Sequence, residues 1–342
     1  MALFLPLKRY LHFCNLPYLS EAITPDYQKK VFNIIEAPCG SGKTYYALHG
    51  LVETILGGNP QYNKVLYLID TCPGRDSIIK HNSHLCRDFD QYIDTMDEMA
   101  FSEIEQINDK TVVITFAKFG VLMRKMPEYY KRFSLIVVDE YHSIAWPLKN
   151  EKMDILKEYK NPNKMDPISI NHLLEEQSNS YAAMKGIKTA ALDGEATVVL
   201  ISATPPDMHT WQLWKDVPVH KIQVAEDVFR YKENEVIPFS DPKAVLNQLQ
   251  PGEKALFYTG HIKNMKKLIE YCRARGIRCE GVWSLSNKEH PMTDEQVAIR
   301  DKLIKDGEFP DGLDVLFINK SMCTSINIRT KVGTVIAYTS NH

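Results

Sequence analysis

A chain of 342 residues is long enough for about two domains. With 44% hydrophobic and 25% charged residues it has the make-up of an ordinary water-soluble globular protein, which excludes a long disordered chain, a collagen-like repeat and a small disulfide scaffold. Forty-one lysines and arginines against 43 acidic residues leave a net charge of −2, so no global basic charge advertises nucleic acid, although a local basic groove would suffice to bind one.

The opening MALFLPLKRYLHF places Lys8 and Arg9 after its apolar run and lacks a small-residue cleavage site, so it does not read as a signal peptide. No run of 18 apolar residues occurs, which predicts no membrane span and a cytoplasmic protein. Short β-branched runs then alternate with helical patterns along the chain. The first set of predicted strands is 31–35 (VFNII), 65–69 (VLYLI), 111–116 (TVVITF), 135–139 (LIVVD) and 197–202 (TVVLIS). The second is 254–259 (KALFYT), 277–283 (IRCEGVW), 315–319 (VLFIN) and 334–339 (TVIAYT). Most are continuously apolar, as strands buried on both faces of a parallel sheet should be. Between them, Met265, Leu268, Ile269 and Cys272 fall at helical spacing before Gly276, and Thr293 with Gln296 forms a capping box. Strands alternating with helices predict α/β layers.

The alternation lapses twice. Residues 143–195 are charged and irregular and read as an insertion inside the first sheet, while 205–253, with six prolines, reads as a join between lobes. The expected division is therefore 1–237 and 238–342. Seven scattered cysteines without a CxxC pair point to a reducing compartment rather than a zinc ribbon, and His81, His84 and Cys86 lack a second ligand cluster.

Residues 37–44, Ala37-Pro38-Cys39-Gly40-Ser41-Gly42-Lys43-Thr44, lie between a predicted strand and a predicted helix. That frame is what a phosphate-binding loop requires. Small residues let backbone N–H groups turn inward toward phosphates, Gly40 and Gly42 permit the turn, Lys43 reaches the β- and γ-phosphates, and Thr44 ligands Mg²⁺. Ala37 stands where the pattern has its first glycine, and a Gly-rich turn with a surface lysine is the competing reading. The strand 135–139 ends in two adjacent carboxylates. Ligands of α/β sheets lie beyond the carboxyl ends of strands, so Asp139 is expected near the Mg²⁺ held by Thr44, Glu140 to polarise an attacking water, and His142 to couple the site to the other lobe. A strand exiting into solvent is the alternative.

APCGSGKT, DEYH (139–142) and SATPP (202–206), in that order, resemble motifs I, II and III of superfamily 2 helicases of the DExH type. TCPGR (71–75), TFAKFG (115–120), FYTGHIKNMKKL (257–268) and NKSMCTSINI (319–328) are similar to the family's later and intermediate motifs, though each is weak alone. The resemblance covers nearly the whole chain. It implies two RecA-like parallel-sheet lobes, ATP and Mg²⁺ in a cleft between them, and single-stranded DNA or RNA across the top. In that frame Thr71, Thr115, Thr259 and Thr324 are candidate phosphate contacts, with helix capping as the alternative at each, and Ser202 and Thr204 link hydrolysis to lobe movement. Trp211, Trp214 and Trp283 are candidate stacking platforms or core residues, and Gln28 is a candidate adenine reader. The family's arginine-rich motif VI is expected after 334–339, where the sequence stops, so the second lobe is expected to be incomplete with 334–339 at a bare edge. A truncated helicase, a protein partner supplying the arginine, and a catalytically weak ATP- and nucleic-acid-binding regulatory module are the three readings this leaves open.

Overall fold

The computed structural model describes residues 2–6, 19–38, 40–57, 64–88, 111–159, 165–206, 208, 211–225, 237–250, 252–285, 287–323, 328, 330 and 332–338. Its strands are β1 (Ala2–Pro6), β2 (Phe32–Glu36), β3 (Val65–Ile69), β4 (Cys86–Asp88), β5 (Thr111–Thr115), β6 (Leu135–Asp139), β7 (Thr197–Ser202), β8 (Val219–Lys221), β9 (Ile237–Phe239), β10 (Ala255–Thr259), β11 (Cys279–Val282), β12 (Val315–Ile318) and β13 (Thr334–Tyr338). All nine strands predicted from apolar runs form, and the fold is mixed α/β with two sheets, as expected of RecA-like helicase lobes.

The chain divides into two compact units, Phe13–Arg230 and Met1–His12 with Tyr231–His342. In the first, seven strands run in the order β4-β5-β3-β6-β7-β2-β8, every neighbouring pair parallel. Both faces are covered, which is why β3, β5, β6 and β7 are buried along their whole length. One face carries the helices Lys43–Leu48, Gly50–Leu56 and Cys72–His81, the other Phe116–Lys125 and Asn179–Asp193. The helix after the phosphate loop breaks at His49. A Cβ on Gly50 would stand 2.4 Å from the Tyr46 ring, so glycine is what lets the two short helices follow each other there.

Residues 143–195 are not an irregular insertion but hold three helices, Ala145–Lys157, Pro167–Gln177 and Asn179–Asp193. Asp166 and Ser178 cap the second and third through their side chains. The third is part of the core: Ala183, Ile187, Ala190 and Ala191 are buried against the sheet, and their small side chains gave a weak apolar signal. This helix approaches Phe116–Lys125 so closely that a Cβ on Gly120 would lie 1.9 Å from the carbonyl oxygen of Asn179.

In the second unit the order is β11-β12-β10-β13-β1-β9. Strands β10 to β13 are mutually parallel, while β1 is antiparallel to both β13 and β9. Two expectations are corrected here. The amino-terminal residues join the second sheet rather than the first lobe, and β13 is not a bare edge, because Leu3 to Pro6 pair with Thr334 to Ala337. The helix Ile262–Arg273 buries Met265, Leu268, Ile269 and Cys272 as its spacing required, and Thr293 and Gln296 close their capping box. Among the described residues no helix is long and apolar enough to cross a membrane.

The glycine contact gives a stability prediction. Gly120→Ala forces a methyl group onto backbone that has no rotamer with which to yield, and should cost about 2–3 kcal/mol in urea unfolding. An unchanged midpoint would mean the two helices are not packed at this distance.

Candidate nucleotide site

Strand order positions the chemistry. With β7 between β6 and β2, the segments leaving all three carboxyl ends lie side by side, and these are the ones that carry DEYH, SATPP and the phosphate loop. Parallel register sets Glu36 level with Ser202, and Asp139 level with Ile201.

The loop itself has the backbone its sequence calls for. Gly40 and Gly42 have φ of 79° and 81°, in the left-handed region that favours glycine. Ala37, where the usual pattern has glycine, keeps ordinary negative-φ backbone and donates its N–H to the Ser202 carbonyl at 3.1 Å, so its methyl group costs no strain. Ser41 Oγ donates to the Pro38 carbonyl at 2.8 Å, and the Ser41 carbonyl accepts from Leu19 N–H, which ties the loop to the helix Leu19–Ala22. Cys39 lies outside the described residues.

Lys43 Nζ donates to the Pro38 carbonyl at 3.2 Å and lies 3.6 Å from Glu140 Oε1. Asp139 is 6% exposed. Its Oδ2 accepts a hydrogen bond from the Tyr67 hydroxyl at 2.7 Å, and its Oδ1 is buried without a partner among the described residues. Burial, followed by the neighbouring Glu140 charge, raises the Asp139 pKa to about 6, with Tyr67 and Lys43 pulling the other way. Burial would also raise Glu140, but the hydrogen bond from His142 and the charge of Lys43 outweigh it and hold this carboxyl below its ordinary value. Tyr67 thus joins Asp139 directly, and the Thr44 side chain lies near enough to oppose the rise that burial gives the Tyr67 pKa.

Glu140 is one of two described non-glycine residues with positive φ, at 49°. Such a conformation costs about 1–3 kcal/mol. It turns the chain out of β6, and Ser143 fixes the turn by donating both its N–H and its Oγ–H to the Glu140 carbonyl at 2.9 Å. The Glu140 carboxylate is then held by Ser202 Oγ and His142 Nδ1, each 3.3 Å from Oε2. Ser202 Oγ also shares a 2.9 Å hydrogen bond with His142 Nδ1 and accepts the Thr204 N–H at 3.0 Å. Ser202 thus joins the residues named from DEYH, whereas exposed Thr204 reaches them only through its backbone.

The donor set fits Mg²⁺. A hydroxyl and a buried carboxylate with one unsatisfied oxygen are oxygen ligands of the kind that ion takes, with phosphate oxygens and water completing the shell. A site of this kind needs no dense cluster, and among the described residues no group of three or more His, Cys, Asp or Glu side chains could hold a metal, His81, His84 and Cys86 included.

The candidate nucleic-acid threonines do not form one set. Thr71 and Thr115 cap the helices Cys72–His81 and Phe116–Lys125, accepting from Gly74 and Lys118 N–H at 3.3 and 3.2 Å. Thr259 is 1% exposed, at the carboxyl end of β10 in the second unit. Thr324 lies outside the described residues. Trp214 and Trp283 are core residues that donate their indole N–H groups to the Met184 and His290 carbonyls, and Trp211 packs on Trp214. Gln28 is pinned by its backbone to Asn33 near the start of β2, at the end of the strand opposite the phosphate loop, so it does not sit beside Lys43. Tyr67 was missed by sequence reasoning.

A sequence-family profile described as type III restriction enzyme, res subunit, matches residues 11–169. No curated protein matches the chain. Among solved structures, the Saccharomyces cerevisiae protein Dbp5 bound to RNA and ADP BeF3 is similar with a TM-score of 0.52 at 15% identity, over 85% of this chain and 66% of that one. Mycobacterium smegmatis helicase Lhr bound to ssDNA and AMP-PNP matches at TM-score 0.48 and 14% identity, over 86% of this chain and 38% of that one. The chain therefore spans less than two thirds of the length of either. The likeness to Dbp5 bears on the fold.

Thr115→Ala tests the capping geometry. Loss of the cap should cost about 1 kcal/mol in urea unfolding. A change below a few tenths would mean the hydroxyl contributes nothing to the helix.

Proposed function

We propose that the chain is an ATP-dependent nucleic-acid helicase or translocase of the superfamily 2 DExH kind, acting on single-stranded DNA or RNA. The observation that supports the reading most is that Lys43 of the phosphate loop lies 3.6 Å from Glu140, the neighbour of buried Asp139, so residues of two distant motifs meet.

In this reading the loop N–H groups and Lys43 bind the phosphates, Lys43 exchanging its contacts to Pro38 and Glu140 for phosphate oxygens. Thr44 and Asp139 would hold Mg²⁺, which supplies positive charge against the β- and γ-phosphate oxygens. Glu140, kept ionised and oriented by His142 and Ser202, orients the attacking water and accepts its proton. Because Ser202 Oγ also accepts the Thr204 N–H, a change at Glu140 on hydrolysis is felt by the segment after β7. This supports Ser202 and Thr204 as the coupling residues, with Thr204 acting through its main chain. Thr71 and Thr115, half-buried and buried caps at strand ends, remain candidates to present helix N–H groups to a nucleic-acid backbone without reading bases.

The test is ATP hydrolysis with and without single-stranded DNA and RNA oligonucleotides, at two salt concentrations because phosphate-driven binding weakens with salt. Wild type should hydrolyse ATP faster with one of the nucleic acids. Glu140→Gln should lower turnover about 100-fold or more while nucleotide still binds, and Lys43→Ala should weaken nucleotide binding itself. Equal background rates in all three proteins would overturn the motor reading. Micromolar ATP binding with negligible stimulated turnover in wild type would favour a nucleotide-dependent binding module instead.

A further inference from the structure

We infer that Tyr67 is a positioning residue for the divalent cation of this site, acting through Asp139; the inference rests on the ATP·Mg²⁺ reading above. β3 lies next to β6, and Tyr67 pairs with Val137. Side chains alternate along a strand, so Val137 and Asp139 face the same side of the sheet, with Asp139 about 6.6 Å further along at about 3.3 Å per residue. A tyrosine leaning along its strand spans that offset, and its hydroxyl meets Asp139 Oδ2 at 2.7 Å. This face is covered by the helix that begins with Lys43 and Thr44, and Tyr67 packs there with Ile35, Ala37 and Ala47. The phenol hydroxyl therefore meets one candidate ligand, Asp139, on the face covered by the helix that carries the other, Thr44.

Packing alone does not account for a hydroxyl here. β3 is wholly buried, and Val65, Leu66, Leu68 and Ile69 have no polar side-chain atoms. Phenylalanine would fill the same space without burying a hydroxyl, which is costly unless bonded. What the hydroxyl adds is orientation. By taking Oδ2 it fixes the rotation of the Asp139 carboxylate and leaves Oδ1 as the free acceptor. Groups that orient metal ligands in this way commonly control affinity by 10- to 100-fold.

The test uses the full chain and Mn²⁺ as a paramagnetic probe, titrated into the protein–ADP complex and followed by electron paramagnetic resonance. ADP affinity in EDTA is measured in parallel. Tyr67→Phe keeps the ring and its packing. It should weaken Mn²⁺ binding about tenfold or more while metal-free ADP affinity stays within about twofold. In an Asp139→Asn background the same substitution should change Mn²⁺ affinity less than about twofold, because the two residues act as one unit. Tyr67→Met, a flexible apolar residue without a hydroxyl, reads the same quantity should the phenylalanine variant fold poorly. Wild-type Mn²⁺ affinity in the variants overturns the inference. So does an equal loss in the Asp139→Asn background, or an equal loss of metal-free ADP affinity, since either would mean that Tyr67 only supports the loop. If wild type binds Mn²⁺ with ADP and Asp139→Asn abolishes it, the reading of the site stands even when Tyr67 proves indifferent. If wild type binds neither ADP nor Mn²⁺, the reading fails and the inference with it.

Discussion

A carboxylate held 6% exposed in the first sheet is the constraint around which the candidate nucleotide site is arranged. Burying an ionisable oxygen pair favours its protonation, which is the direction in which Asp139 is shifted. Three features oppose it: the Tyr67 hydroxyl on Oδ2, the nearby Lys43 charge and a hydrogen bond from the backbone. None touches Oδ1. A cation there would satisfy that oxygen and hold the carboxylate ionised, so the cost of burying Asp139 becomes affinity for the ion. The adjacent Glu140 meets the opposite conditions. It is turned outward by a left-handed backbone, bonded by two side chains and held ionised. Two neighbouring carboxylates are thereby pushed in opposite directions by their surroundings, the pattern that divides acid–base roles in such sites.

That separation depends on the sheet. Because β7 lies between β6 and β2, Ser202 reaches Glu140 and His142 from one side while its carbonyl accepts the Ala37 N–H on the other. The segment after β7 is thus bonded both to the proposed water-orienting carboxylate and to the first residue of the phosphate loop. A small rotation of the Glu140 side chain has only one hydroxyl to pass through before it meets the backbone of Thr204. No long pathway is needed for local chemistry to reach a chain segment that leaves the sheet.

The residues that carry this chemistry differ in how legible they were. Lys43, Thr44, Asp139 and Glu140 stood out because phosphate binding needs a short contiguous loop and because two carboxylates ending an apolar run contradict their surroundings. The strands were legible for the same reason, since runs such as LIVVD and TVVLIS have one plausible buried environment. Tyr67 was not, because inside VLYLI a tyrosine reads as filler, and its contact with Asp139 depends on the register of strands far apart in sequence. Strands β4 and β8, three residues each, are too short for a periodic signal. The helix Asn179–Asp193 was hidden because alanine buries little area per residue and its neighbours are charged. Thr71 and Thr115 illustrate a different limit. Their place at strand ends was readable, but a hydroxyl there serves a helix cap and a phosphate equally well, and in the structure it accepts from its own helix.

The position of β1 changes what counts as a unit of this protein. Its backbone pairs with β13 on one side and β9 on the other, so the first unit is inserted within the sequence of the second. The covalent chain consequently passes between the units twice, once after β1 and once before β9. A division drawn from sequence at 237/238 would keep Phe13–Arg230 whole but take β1 away from the second sheet. The unpaired N–H and C=O groups of β13 would then form an edge, the arrangement most prone to pairing with other chains. β1, with partners on both sides, lies in the interior of the sheet rather than at its rim. Strands far apart in sequence, β1 and β13, are thus neighbours in one sheet.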